Sequence, residues 1–331
     1  MQTLATYIHN LNPVILEIPG TPLALRWYGL AYVAGFILGY YVLLRLSRRN
    51  LFCIGEQKLG DFVTAICIFG VLMGGRLGEF FFYWLPEHGF SGLMNDPLWV
   101  LRVWEGGMAS HGGILCVIIT AFWYARKHKL SGAQIIDGLA IVSPIGLFFG
   151  RVANFINGEL YGRPTPPGNP IGIKFPLEIF EQQPQQQIQA LLAVEHTAGN
   201  SLQKLALPNE GFYDTLSRLC RENDAVRDAL GQFLTPRYPS QLFEAIGEGL
   251  IIFVTLFTLR LIWKNAPAGI FAALFAFLYA TARILCECFK QPDAGVWHGI
   301  TQGQILSLFI AILGIPFLIT AIRNHKKIKN L

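Results

Sequence analysis

Charged residues are scarce in this chain. Of its 331 residues only 14% are charged, whereas 53% are hydrophobic. A soluble globular domain carries about 25% charged residues, so the composition excludes an ordinary soluble domain and predicts a membrane protein. The net charge of +5 is small, and the chain has no basic block with interleaved aromatic residues. Nucleic-acid binding is therefore not expected.

Cysteine patterns with a recognised chemistry are also missing. None of the six cysteines forms a Cys-x-x-Cys pair, and no series of Cys and His residues has the spacing of zinc ligands. Four cysteines lie in apolar runs, where Cys packs as a small hydrophobic residue. These four are Cys67, Cys116, Cys286 and Cys288. We expect neither a disulfide framework nor a metal site. Residues 1–22 contain no Lys or Arg and so lack the basic n-region of a signal peptide.

Long apolar runs are abundant instead. A spanning helix needs about 20 mostly apolar residues, and seven segments qualify. They are roughly 23–45, 61–84, 110–126, 133–157, 240–263, 268–289 and 300–322. The third is short, and the fourth contains Asp137, Pro144 and Arg151. The sequence therefore predicts an all-α polytopic membrane protein with about seven transmembrane helices.

The basic residues alternate between the two sides of these spans. They cluster after the first, third, fifth and seventh spans, whereas residues 1–22 have none and 85–109 have only Arg102. Short loops rich in Lys and Arg stay in the cytoplasm. We expect the N-terminus outside, the C-terminus in the cytoplasm and an odd number of spans.

One long polar segment separates the fourth and fifth spans. Residues 158–239 are rich in Pro and Gln and predict an outside, periplasmic head. Around it, 1–157 would hold the first four spans and 240–331 the last three with a cytoplasmic tail, in one integrated membrane domain. Residues 85–109, which follow Trp84 and contain Trp99 and Trp104, predict an interfacial arm because Trp favours the headgroup level.

Several predicted spans carry charges, each of which costs about 2.5–3.5 kcal/mol at the bilayer centre. These residues are Arg76, Glu79, Asp137, Arg151, Glu244, Glu248, Arg283 and Glu287. Arg76 and Glu79 are three residues apart and Arg283 and Glu287 four apart, so both pairs are predicted as structural ion pairs.

The remaining charges need partners from other helices. Arg151 has no partner at helical spacing in its own span, and Glu244 and Glu248 are like charges four residues apart. A buried polar cavity lined by several helices would satisfy all of them, and such a cavity is by default a functional site.

Three features near the span ends carry possible chemistry. Arg151 and Asn154 share a helix face before Asn157-Gly158, a sequence suited to a helix end. Arg151 and Arg283 could clamp a phosphodiester, since the guanidinium fork matches phosphate oxygens, or could only form ion pairs. His111 is either a general base or a hydrogen-bonded interfacial residue. Tyr28, at the start of the first span, suits an interfacial anchor.

Five segments, in order, resemble the prolipoprotein diacylglyceryl transferase family. They are 26–30, 108–113, 150–163, 239–244 and 282–293. The run Arg-x-x-Asn-Phe-Ile-Asn-Gly-Glu from Arg151 to Glu159 is highly specific. The resemblance covers nearly the whole chain except the extramembrane segment. Tyr161, Tyr238 and Gln302 depart from the expected Trp, His and Met, all outside or beside the core motifs. The insert 164–236 has no recognisable motif.

The resemblance implies a seven-span protein of the bacterial inner membrane with a periplasmic head. It implies transfer of the diacylglyceryl group of phosphatidylglycerol to the lipobox cysteine of a preprolipoprotein signal peptide. The products would be a thioether and glycerol phosphate. No cofactor and no metal are implied. We expect a monomer, since no segment suggests an interface.

The resemblance also assigns roles to individual residues. It implies catalytic roles for His111, Arg151 and Arg283, with the two arginines holding the phosphate and His111 assisting the substrate thiol. It places further residues in the same site. These are Tyr28, Asn154, Glu159, Gly162 and Tyr279.

Two other functions compete with a transferase. Intramembrane charges also mark the paths of transporters and channels, but the odd span count and the lack of internal repeats argue against that class. A lipid-binding scaffold without turnover would keep the arginine clamp and tolerate loss of His111.

Overall fold

A computed structural model gives the fold of the chain. It describes residues 6–17, 24–96, 98–102, 107–166, 168–207, 210–292 and 299–329. Trp104 of the predicted arm and Asp293 of the last motif lie outside the described residues.

Helices make up most of the described chain, which confirms the predicted all-α class. They are α1 (Trp27–Arg48), α2 (Glu56–Ala65), α3 (Met73–Glu79), α4 (Leu85–Asn95), α5 (Ser110–Lys127), α6 (Gly132–Asn157), α7 (Pro184–Ala198), α8 (Leu202–Leu205), α9 (Phe212–Glu222), α10 (Asp224–Gly231), α11 (Ser240–Glu244), α12 (Ile252–Ile262), α13 (Ile270–Glu287) and α14 (Gln302–Lys329). Short 3₁₀ turns form at Trp99–Leu101 and Pro176–Glu181. Strands β1 (Val14–Glu17) and β2 (Ala24–Arg26) pair antiparallel just before α1.

Six helical segments in the described chain are long and apolar enough to cross a membrane. They are Trp27–Arg48, Glu56–Gly92, Gly132–Asn157, Ser240–Ile262, Ile270–Glu287 and Gln302–Lys326. At most 44% of the most apolar stretch of each is buried within the protein, as expected for surfaces that face lipid. The predicted third span forms as α5, but its polar first turn and the terminal Arg126 and Lys127 lower its mean hydropathy. Its crossing of the membrane remains a prediction.

In the described chain, three π-helical segments interrupt the predicted spans. Ile66–Leu72 and Phe80–Trp84 flank α3, and Ala245–Ile251 joins α11 to α12. A π-helical turn shifts the face that later residues present, and such turns are common at functional sites. Two of them flank the helix of Arg76, and the third contains Glu248.

The described residues form two compact units. The first unit comprises those within Met1–Phe36, Pro144–Val254 and Phe277–Ile312. The second unit comprises those within Ile37–Ser143, Thr255–Ala276 and Leu313–Leu331.

In the first unit, the segment between the predicted fourth and fifth spans folds around its own apolar core. Ile179, Leu216, Val226 and Leu230 are fully buried there, on the Pro176–Glu181 turn, α9 and α10. The side chain of Asn223 accepts hydrogen bonds from the first turn of α10 and caps it. The described residues of 164–236, a segment without a motif, therefore pack largely as helices; that this segment is a head outside the membrane remains a prediction.

In the second unit, a core forms around Leu43, Phe62, Tyr124 and Ile135. The buried Asp137 of α6 accepts hydrogen bonds from the backbone N–H groups of Gly269 (2.7 Å) and Ala272 (2.8 Å). This costly intramembrane charge therefore caps the N-terminal end of α13, where backbone donors lack helical partners.

Candidate active site

The motif at 150–163 begins in α6 and turns sharply at its end. Gly158 adopts a left-handed conformation (φ 70°) and ends the helix, as the sequence predicted. The turn packs on the ring of His9: a Cβ added at Gly158 would lie 3.1 Å from His9 Nδ1. His9 also packs against Phe155 and Phe175, and burial lowers its pKa to about 4. The turn directs Glu159 back towards the start of α1.

Tyr28, Asn154 and Glu159 form one hydrogen-bonded network in the first unit. The Tyr28 hydroxyl donates to Glu159 Oε1 (2.6 Å), and Asn154 Nδ2 donates to the same oxygen (2.8 Å) and contacts the hydroxyl. Gln241 at the start of α11 donates from Nε2 to the backbone oxygen of Glu159 (2.7 Å). Three of the predicted site residues are therefore fixed together at the end of α6.

Arg151 and Arg283, from α6 and α13, converge on the same two carboxylates. Arg151 Nε lies 2.8 Å from Glu244 Oε2, and its Nη2 donates to Glu248 Oε2 (3.4 Å). Arg283 Nη1 lies 3.0 Å from Glu244 Oε1 and donates to Glu248 Oε1 (3.2 Å). Both carboxylates are at most 1% exposed. The sequence predicted that they need cations or protons from elsewhere, and the structure places the two arginines beside them.

A third carboxylate completes this group, which we name the Arg–Glu cluster. It consists of Arg151, Glu244, Glu248, Arg283 and Glu287. Arg283 Nη2 lies 3.1 Å from Glu287 Oε2, at the i,i+4 spacing noted in the sequence. The Glu287 carboxylate packs on the first turn of α14 at Gly303. A Cβ added at Gly303 would lie 2.7 Å from Glu287 Oε2, so only glycine leaves room for the carboxylate there. Tyr279 on α13 interacts electrostatically with the cluster.

Glycines beside Glu248 explain how the cluster can form. A Cβ at Gly249 would lie 2.6–2.8 Å from Cβ, Cα and N of Phe148, so the π-helical segment touches the backbone of α6. A Cβ at Gly247 would lie 3.4 Å from Cys286 Sγ on α13. Glu248 is thus carried close to both arginine-bearing helices. No spacing in the sequence reveals these approaches; the only signal is a pair of glycines around an intramembrane Glu.

Gly162 lies at a junction of three backbone segments. Its N–H donates to Tyr238 O (2.8 Å), and it pairs antiparallel with Lys290. A Cβ at this position would lie 2.5 Å from Phe289 O and 2.6 Å from Tyr238 O. Gly162 therefore ties the motif turn to the approaches of α11 and the end of α13, which carry the cluster.

His111 belongs to the second unit, where it is exposed in the first turn of α5. The next residue, Gly112, fixes this end of the helix, because a Cβ there would lie 2.4 Å from Gly74 O and 2.5 Å from Gly78 Cα on α3. Such contacts between small residues allow membrane helices to approach closely.

Arg76, also in the second unit, has backbone partners that the sequence did not predict. Its guanidinium donates to the carbonyl oxygens of Trp99 (2.7 Å), Val100 (3.1 Å), Arg102 (2.9 Å) and Gly107 (3.2 Å). It also lies 3.8 Å from the centre of the Trp99 ring. Arg76 therefore holds described parts of the predicted arm against α3, and its pairing with Glu79 remains a prediction.

Comparisons with known proteins match this chain along almost its full length. A family model described as prolipoprotein diacylglyceryl transferase matches residues 13–320. A Bdellovibrio bacteriovorus protein is 40% identical, over 94% of this chain and 93% of its own. A Shigella boydii serotype 4 protein is 35% identical (97% of each chain), and a Proteus mirabilis protein is 34% identical (96% and 94%). Each relative is named phosphatidylglycerol–prolipoprotein diacylglyceryl transferase.

Proposed function

The chain belongs to the prolipoprotein diacylglyceryl transferase family, and we propose that the Arg–Glu cluster is where it binds phosphatidylglycerol for transfer. It is a multi-pass membrane transferase, and it moves the diacylglyceryl group to the cysteine thiol of a prolipoprotein. The bond between the lipid glycerol carbon and the phosphate oxygen breaks, and a carbon–sulfur bond forms. The second product is glycerol phosphate, and the thiol proton passes to it or to solvent.

The observation that carries this proposal is the convergence of Arg151 and Arg283 on shared carboxylates. Each guanidinium has five N–H donors, and within the described chain the carboxylates meet Arg151 at its Nε and Nη2. Arg151 also keeps 17% of its side chain exposed. The remaining donors are suited to phosphate oxygens, where charge-assisted hydrogen bonds stabilise the negative charge that develops as the bond breaks.

The hydrogen-bonded network of Tyr28, Asn154 and Glu159 lines this site, and Tyr279 borders it. The nucleophile is the thiolate of the substrate cysteine, whose free thiol has a pKa near 8.5. We assign His111 the role of assisting deprotonation; the field of the two arginines is the alternative source of thiolate.

The proposed setting is the bacterial inner membrane, with the N-terminus in the periplasm and the C-terminus in the cytoplasm. Both substrates, a phospholipid and a signal peptide with a lipobox cysteine, are embedded in lipid. A site open sideways to the bilayer would admit both without exposing their apolar parts to water. We propose that the enzyme acts as a monomer without a cofactor.

Reconstitution of the purified protein with phosphatidylglycerol and a lipobox peptide tests this function. We expect glycerol phosphate release coupled to peptide lipidation, lost in Arg151→Ala and Arg283→Ala and reduced in His111→Ala. Arg218→Ala is the matched control, because Arg218 forms a similar part-buried pair with Glu210 (2.9 Å) in the head. Folded wild type that bound lipid but released no glycerol phosphate would instead be a lipid-binding scaffold.

A further inference from the structure

Carboxylates outnumber guanidiniums in the Arg–Glu cluster. Glu244, Glu248 and Glu287 form ion pairs with Arg151 and Arg283. The additional cation that interacts electrostatically with Glu244 is Lys290, which is 3% exposed. With Lys290 included, the formal charges balance before any lipid is bound. An anionic phosphodiester would then add a negative charge in a poorly solvated site, where repulsion between like charges is strong.

The three carboxylates are not equivalent in their hydrogen bonding. Glu248 accepts a hydrogen bond from each arginine, one at each oxygen. Glu244 lies nearer to the same guanidiniums, at 2.8 and 3.0 Å, but among the described residues no hydrogen-bond donor meets either of its oxygens. Glu287 Oε2 also lacks a donor, but Glu244 differs in that both of its oxygens do. Glu244 is 1% exposed. A buried acceptor without a donor is rare and calls for an explanation.

A proton on Glu244 would resolve both observations. It would remove the charge that repels the phosphate, and the resulting O–H group could donate a hydrogen bond itself. Two carboxylates that share a buried site rarely both stay ionised, and one of them takes up a proton. Glu248 already accepts a charge-assisted hydrogen bond from each arginine, so Glu244 is the carboxylate left to carry the proton.

We infer that the cluster binds its anionic headgroup together with one proton, and that Glu244 carries this proton while Glu248 anchors the two arginines. The inference rests on the proposed function, since it takes the cluster as the phosphate site. The charged groups around Glu244 are Arg151 on α6, Glu248 on the π-helical segment, Arg283 on α13, and Lys290. Since Arg and Lys stay protonated at neutral pH, the proton is exchanged by a carboxylate of the cluster.

Binding of phosphatidylglycerol without peptide tests the inference. The dissociation constant in mixed detergent micelles would be measured from about pH 5.5 to 8.5, with phosphatidylcholine as the zwitterionic control lipid. Wild type should bind more tightly as the pH falls, by up to about tenfold per pH unit where one proton is taken up. In weakly buffered solution, a pH indicator should record uptake of about one proton per lipid bound.

Matched variants assign the proton. Glu244→Gln copies the protonated state, so it should bind as tightly as wild type at low pH and lose the pH dependence. Glu244→Asp keeps a titratable carboxylate, so its affinity for the lipid should still depend on pH. This variant also tests position 244 if Glu244→Gln does not fold. Glu248→Gln removes the anchor, so it should bind more weakly at every pH while keeping the slope. Glu210→Gln, which breaks a carboxylate–arginine pair in the head, should behave as wild type.

The inference is overturned if wild type takes up no proton, or if Glu244→Gln keeps the wild-type slope. Either result would leave the transferase proposal standing whenever glycerol phosphate is still released in the presence of peptide. Conversely, if lipid binding takes up a proton in wild type but not in Glu244→Gln, and no glycerol phosphate is released, the transferase proposal fails and Glu244 is supported as the proton carrier.

Discussion

Replacing Gly162 by Ala should damage the site without touching any charged residue. The new Cβ would lie 2.5 Å from Phe289 O, 2.6 Å from Tyr238 O and 2.8 Å from Tyr238 Cβ. Two of these three atoms belong to the backbone, so they cannot move aside by a side-chain rotation. The contact is relieved only if the segments at 162, 238 and 289 separate.

The magnitude follows from what that separation disrupts. Forcing an extra methyl into a packed site costs about 1–3 kcal/mol. The hydrogen bonds from Gly162 N to Tyr238 O and from Arg163 N to Phe289 O, both 2.8 Å, would lengthen, at about 1 kcal/mol each. We expect a total of about 3–5 kcal/mol, part of it from a displaced α11 and α13. Because these helices carry Glu244 and Arg283, we expect a large loss in the rate of glycerol phosphate release even where the protein still folds.

The measurements are the apparent thermal midpoint in detergent and the rate of glycerol phosphate release. Gly150→Ala is the matched control, since Gly150 lies one residue before Arg151 in α6 and a Cβ there would meet no atom within 4 Å. It should be neutral or slightly stabilising, because Ala favours helix by about 0.5–1 kcal/mol over Gly. A Gly162→Ala protein with the midpoint and rate of wild type would refute the backbone-junction argument.

Three further outcomes are expected. Gly112→Ala should lower the thermal midpoint, because the new Cβ would lie 2.4 Å from the carbonyl oxygen of Gly74 on α3. Gly113→Ala should leave the midpoint unchanged, because its Cβ would lie 3.9 Å from the nearest atom, Gly75 N. Equal midpoints for the two variants would contradict this packing argument. Burial lowers the pKa of His9 from 6.5 to about 4, so the unfolded chain binds more protons between these values. The contribution of His9 to the free energy of unfolding should be constant above pH 6.5 and decline as the pH falls towards 4. In His9→Asn, the thermal midpoint should therefore depend less on pH between these values. An unchanged slope would contradict the burial argument for His9. Burial raises the pKa of Cys220 to about 12, so its thiol should react slowly with a maleimide at pH 8. Mass spectrometry should find the exposed Cys288 labelled before Cys220. Early labelling of Cys220 would show that the core around it is open to solvent.

Much of the fold could be predicted from the sequence because spans are set by local composition. Six of the seven predicted spans correspond to helices long and apolar enough to cross a membrane. The predicted second span at 61–84 proved longer, at Glu56–Gly92, because π-helical segments continue it rather than end it. The third, α5, falls short in apolarity because its ends are polar. The insert between spans four and five gave no sign of its helical core, which depends on contacts between distant residues such as Ile179 and Leu230.

The candidate site was predictable where its geometry is local. Arg283 and Glu287 meet because residues four apart share a helix face. Asn157-Gly158 ends α6 because glycine tolerates the left-handed conformation. The Arg-x-x-Asn-Phe-Ile-Asn-Gly-Glu run named Asn154 and Glu159, which the structure joins in one network with Tyr28 from the segment 26–30.

The sequence by itself determined the membrane class, the family and the residues that carry charge into the bilayer. Burying a charge in lipid is costly, so apolar runs identify the predicted spans, and the few charged residues within them stand out as candidates for function. Only the tertiary structure decided which charges meet. Arg151 and Glu248 are 97 residues apart and Arg283 and Glu248 are 35 apart, and they touch because glycines let the backbones of separate helices approach. Helical periodicity fixes the face of each residue on its own helix, but the pairing of helices depends on close packing that no local pattern encodes.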